Sequence, residues 1–240
     1  MERLDTQGFA VGVDYFGEAV SDAEVVERKV REYLRLVEAL EGAPAEANVW
    51  LDLSNVGLDV SADLCRRQVK RISERLPAGA RLQVRAHDST RTEAIIDLSL
   101  ALAADGAPIT QTLQANLRQS AVNAERLLEA NVPILLVKGA HIEPRAVAFA
   151  WGEETDLAFL RLAHRLHAGG AALSIATHDP VIREALLTSL DGIGVEMLLG
   201  VRPADASDLL LRGHSVRLYV PYGEDWPRYW LRRLGEKHGA

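Results

Sequence analysis

Cysteine is almost missing from this chain: among its 240 residues only Cys65 occurs. A single thiol excludes an internal disulfide framework and a cysteine-based zinc site, and it fits a reducing compartment. Cys65 falls within a predicted helix (63–74), where a buried structural thiol is the ordinary outcome. Long apolar runs are missing as well. No stretch approaches the ~18 residues that a bilayer span needs, and the polar residues 1–7 carry no apolar signal region. The expectation is a cytoplasmic protein with no transmembrane segment. A basic stripe is also lacking: net charge is −7, with acidic and basic residues interspersed, which argues against a nucleic-acid partner. What is present is ordinary for a globular chain, 48% hydrophobic and 25% charged. That suffices for one substantial core and a single domain over residues 1–240.

Short apolar runs alternate with longer amphipathic ones. The runs 9–15, 48–54, 80–86, 108–115, 133–138, 171–176, 194–199 and 215–220 are brief and rich in Val, Ile or Leu, as strands covered on both faces are. Helical patterns fill 23–40, 62–75, 91–104, 121–130, 154–167, 180–190, 204–212 and 226–237. Ser21 with Glu24 reads as a capping box for the first of these. Pro133 stops the fourth, and Gly169–Gly170 ends the fifth. Repeated β-then-α units require parallel strands with right-handed crossovers, and eight of them close a (β/α)8 TIM-type barrel. In such a barrel the active site forms where strands end and helices begin.

Several segments at those strand ends form an ordered set. They are Tyr15-Phe16-Gly17-Glu18-Ala19-Val20, Leu53-Ser54-Asn55-Val56-Gly57-Leu58, Leu136-Val137-Lys138-Gly139-Ala140 with Glu143-Pro144, Ala176-Thr177-His178-Asp179-Pro180, and Leu199-Gly200-Val201-Arg202. The longest is Val216-Arg217-Leu218-Tyr219-Val220-Pro221-Tyr222-Gly223, followed by Asp225-Trp226, Tyr229, Arg232-Arg233 and Glu236. Together they resemble the motifs of the flavin-dependent proline dehydrogenases, from the first barrel strand to the end of the chain. The helical segment that precedes that strand in the family has no counterpart here.

The resemblance implies FAD on the C-terminal face of the barrel and hydride transfer from proline, or a related cyclic or secondary amino acid, to flavin N5. It also implies a final helix over the barrel mouth. By position, Arg232 and Arg233 clamp the substrate carboxylate, and adjacent guanidiniums suit that task. Tyr219 and Tyr229 wall the pocket, and Glu18 pairs with the first arginine as a gate. Lys138, Gly139, Thr177 and His178 contact the FAD phosphates and ribose, Gln114 lies near the flavin ring, and Glu236 belongs to the cofactor contacts.

Other positions depart from the family pattern. Asp52 replaces a substrate-facing lysine, and Arg85 and His87 replace an aspartate and a glutamate. Asp52 and Arg85 read as an ion pair of reversed polarity that orients the substrate. At ~4 Å and an effective dielectric of about 20, the reversal amounts to several kcal/mol. Leu135 stands for an arginine beside N5, His141 for a tyrosine, Asn116 for an aromatic and Glu196 for a glutamine. Asp52, His87, His141 and Glu196, with His178, are metal-ligand types at nominal strand ends. A second reading is therefore a metal-dependent enzyme carrying iron, zinc or manganese in place of flavin. A third is a non-catalytic amino-acid-binding relic.

Overall fold

Eight parallel strands, β1 (Ala10–Tyr15), β2 (Asn48–Leu51), β3 (Arg81–Val84), β4 (Ile109–Gln114), β5 (Ile134–Val137), β6 (Leu173–Ala176), β7 (Gly194–Leu198) and β8 (Val216–Tyr222), form a closed ring in sequence order in a computed structural model. The structure describes residues 2–15, 22–42 and 47–223. Closure is made by β1 against β8, with Gly12 opposite Tyr219 and Asp14 opposite Pro221. Around the ring run α2 (Ala23–Ala39), α3 (Ala62–Ser73), α4 (Ser89–Ala104), α5 (Ser120–Glu129), α6 (Glu153–Ala168), α7 (Pro180–Ser189) and α8 (Pro203–Leu211); a single turn, α1 (Glu2–Asp5), precedes β1. The helix read over 226–237 lies outside the described residues.

Side chains alternate between the two faces of each strand, and the aliphatic residues go outward. Val49, Leu51, Leu82, Val84, Ile109 and Leu113 pack with Val30, Tyr33, Val69, Ile96 and Phe159 in one continuous core between strands and helices. The inward face is polar, unlike the doubly apolar strands expected from sequence. Arg81 donates to Thr110 Oγ1 (2.9 Å), Gln83 to Thr112 Oγ1 (2.9 Å), and Arg217 lies 3.6 Å from Glu196. These inner polar groups answer one another across neighbouring strands, which is how buried polar side chains are tolerated. β5, with Ile134, Leu135 and Leu136 all buried, is the apolar exception.

Where boundaries differ from the sequence reading, side-chain caps explain the change. β2 ends at Leu51, because Asp52 accepts from Ser54 N (2.9 Å) and caps a 3-10 turn, Leu53–Val56, that closes on Gly57 at φ 105°. A short polar side chain offering such a bond diverts the backbone from extended pairing. α4 starts at Ser89 because Asp88 caps it from Thr90 N (3.1 Å). The cap of α2 is Asp22, which accepts from Glu24 N (2.8 Å) and Val25 N (3.2 Å). Ser21 lies outside the described residues. Cys65 is buried in α3 with its Sγ 3.6 Å from the Leu53 carbonyl oxygen, and burial pushes the thiol up to about 12. It is inert, as expected.

Candidate active site at the barrel mouth

Arg85 follows the last residue of β3 and reaches inward across the barrel. Its Nη2 donates to the Tyr219 hydroxyl (2.7 Å) and pairs with the carboxylate of Asp14, which also accepts from Tyr219. Asp14 is fully buried. The guanidinium carbon is 5.9 Å from the Trp50 ring centroid and 6.0 Å from that of Tyr219, and those two rings meet edge to face at 5.2 Å. Gly12 makes this possible: a Cβ there would lie 2.8 Å from Trp50 Nε1.

This node corrects one expectation. The carboxylate that Arg85 pairs with is Asp14, and Asp52 turns back to its own turn, accepting from Ser54 N and Ser54 Oγ (2.6 Å). Sequence reading passed over Asp14. The available signal was a lone carboxylate late in an otherwise apolar strand, AVGVDY.

The ends of β4, β5 and β6 form a second group. Gln114 Nε2 donates to the His87 carbonyl (2.7 Å). Lys138 lies just past β5, with Nζ 2.6 Å from Asp156 and 3.3 Å from Asp179. Asp179 caps α7 from Val181 N and Ile182 N. Burial works against its charge, but the Ile182 amide and the Lys138 ammonium outweigh it, so its carboxyl stays below the usual carboxylate range. Thr177 Oγ1 accepts from Asp179 N (3.2 Å), and His178 Nε2 from Leu198 N (3.4 Å), tying the β6 and β7 ends together. Gly139 adopts φ 124°, and a Cβ there would overlap the Asn116 amide. The buried Asn116 Oδ1 has no hydrogen-bond partner.

His87 and His141 stack at 5.4 Å, and His87 Nδ1 is 2.6 Å from Asp88 Oδ2. Glu143 accepts from Ser89 N (2.7 Å) and Ser89 Oγ (2.6 Å), fastening the β5–α6 loop to the start of α4.

The structure does not bring the residues of the metal reading together. Among the described residues no three His, Cys, Asp or Glu side chains gather as a metal site. Asp52 is committed to its turn, His87 and His141 stack together, and Glu196 sits mid-strand in β7 opposite Arg217. Leu135 is fully buried, in register with Thr112 and Ser174. Glu18, Tyr229, Arg232, Arg233 and Glu236 lie outside the described residues.

Burial pushes the Glu196 carboxyl up to about 7, against the opposing pull of Arg217. The folded state therefore holds a proton that the unfolded chain releases at about 4.3, a gap worth roughly 4 kcal/mol. Below about 4.3 both states are protonated and the penalty vanishes. As pH rises toward 7 it grows to its full size. Glu196→Gln should remove it, so the variant's melting temperature should gain on the parent's between pH 5 and 8. Parallel curves over that range would count against the assignment.

A family profile described as proline dehydrogenase matches residues 1–240. The chain belongs to the proline dehydrogenase family. It is 28% identical to proline dehydrogenase 2 of Bacillus subtilis over 99% of this chain and 81% of that protein. It is also 28% identical to the proline dehydrogenase of Deinococcus radiodurans, over 98% and 80%. The crystal structure of proline utilization A from Bdellovibrio bacteriovorus superposes with a TM-score of 0.84 at 16% identity. It covers 97% of this chain, which spans 30% of that much longer protein. This chain is thus a proline dehydrogenase-like oxidoreductase on a TIM-type barrel, in a family that is typically flavin-dependent. No helix among the described residues is long and apolar enough to cross a membrane.

Proposed function

We propose that this member of the family uses FAD to oxidise proline, or a related cyclic secondary amino acid, at its C–N bond. The observation that carries the reading is the donor set on three neighbouring strand ends. Lys138, Thr177 and His178 supply an ammonium, a hydroxyl and an imidazole where β5 and β6 finish. These are the groups that hold phosphates and ribose hydroxyls. Gln114 at the end of β4 supplies an amide for the ring system. Beside them, the bare backbone at Gly139 and the orphaned oxygen of Asn116 form a cradle that a Cβ would fill. The residues fit a dinucleotide bound across the mouth.

When bound, the flavin supplies the two-electron acceptor. The protein's share is to hold the amino acid with its ring carbon facing that acceptor and to exclude water. Arg232 and Arg233 clamp the carboxylate, with Glu18 as the gate. Tyr219 and Tyr229 shape the pocket, and Glu236 completes the set, as the sequence motifs imply. Arg85 places a cation in the barrel mouth, paired with Asp14 rather than with Asp52, which turns onto Ser54.

Absorbance of the purified protein, before and after anaerobic L-proline, tests the reading. Visible flavin bands that bleach with proline are expected. A colourless protein that takes up no added FAD would sink the cofactor. A yellow protein bleached by no cyclic amino acid would sink the substrate. Carboxylate binding with no flavin at all would favour the relic.

A further inference from the structure

We infer that Asp14 and Arg85 form a two-charge receptor for a zwitterion, with Arg85 facing the carboxylate of the amino-acid substrate and Asp14 its ammonium. The inference rests on the proposed reading and deepens it, since it assigns substrate contacts to Asp14 and Arg85.

Three observations carry it. Asp14 is fully buried, its Oδ2 is taken by Arg85 and Tyr219, and its Oδ1 has no hydrogen-bond partner. A buried carboxylate oxygen left unmatched is costly, and an N–H donor from a ligand would satisfy it. Arg85, whose side chain keeps 23% of its surface exposed, holds the other oxygen of the same carboxylate at the C-terminal end of the strands. Trp50 and Tyr219 flank its guanidinium and restrict its orientation. The acid and the base come from different strands, yet they share one contact point in the barrel mouth. An α-amino acid carries its own two charges one carbon apart, so a neighbouring Asp and Arg match it charge for charge. A ligand with only one charge would satisfy half the pair. The Tyr219 hydroxyl, bonded to both residues, fixes their spacing.

The test is calorimetric titration of the holoprotein with three ring compounds: L-proline, cyclopentanecarboxylate (carboxylate only) and pyrrolidine (ammonium only at neutral pH). Asp14→Asn should weaken L-proline and pyrrolidine by about 10-fold or more and spare cyclopentanecarboxylate. Arg85→Gln should weaken L-proline and cyclopentanecarboxylate by a similar factor and spare pyrrolidine. A purely structural pair would weaken all three probes together, and that result overturns the inference, as does no change with any of them. If Asp14→Asn does not fold because Arg85 is left unpaired, the D14N/R85Q double variant removes both charges. It must then lose the preference for L-proline over cyclopentanecarboxylate, which reports the ammonium that Asp14 reads, and keeping that preference overturns the inference equally. The wild-type bleaching experiment stands apart. Binding with the charge-specific split but without bleaching would remove the oxidation and leave the receptor. Bleaching without the split would do the reverse.

Discussion

Lys138→Met is expected to weaken FAD binding about 100-fold, the loss of a charge-assisted hydrogen bond. Lys138 is the first residue past β5, and its ammonium lies between Asp156, in the first turn of α6, and Asp179, the cap of α7. It is a cation that links two neighbouring β–α units at the mouth. Methionine keeps most of the side-chain volume but removes the charge. Two carboxylates would then face each other, and the pyrophosphate would meet net negative charge. Asp156→Asn should act in the opposite direction, tightening FAD binding a few-fold, because it frees part of the ammonium's field without touching the α7 cap. Quenching of FAD fluorescence on titration with each variant measures both. A Lys138→Met affinity within two-fold of the parent would take Lys138 out of the cofactor site.

Phe159→Ala should cost about 3–5 kcal/mol of stability, the usual range for emptying a fully buried aromatic site. Phe159 lies on α6, has no exposed surface and belongs to the main core. The surrounding aliphatic side chains are anchored on strands of a closed barrel, which limits how far they can collapse into the space. For a domain of this size the change corresponds to roughly 6–20 °C in melting temperature. Differential scanning calorimetry measures it. A fall of under about 3 °C would mean that the α6 side of the core repacks freely. FAD affinity should survive at temperatures where the variant is folded, since Phe159 lies on the helix side of the strands and Lys138 at their ends.

The alternation of strands and helices was legible because it is a local property: a brief apolar run and a 3.6-residue period each leave their mark over a few residues. Chain order then implied the closed barrel, since eight β-then-α units with one handedness have few other solutions. The strand-end motifs were legible for a related reason. Lys138-Gly139 and Thr177-His178 are contiguous, and the barrel places them at its mouth wherever their strands stop.

Pairing across the barrel was not legible. Asp14, Arg85 and Tyr219 come from β1, the end of β3 and β8, and only closure of β8 on β1 brings them together. Asp52 looked like the natural partner of Arg85 because their strands are neighbours. Its side chain instead found the nearer Ser54 amide, a bond that needs no barrel at all. Glu196 looked like a strand-end ligand, and register places it in the middle of β7 opposite Arg217. By itself the sequence determined the strands, the helices, the family and the contiguous motifs, because each is written in local order. Only the tertiary structure decided which buried charge meets which, because a charge leaves water for whichever partner the closed barrel brings within reach.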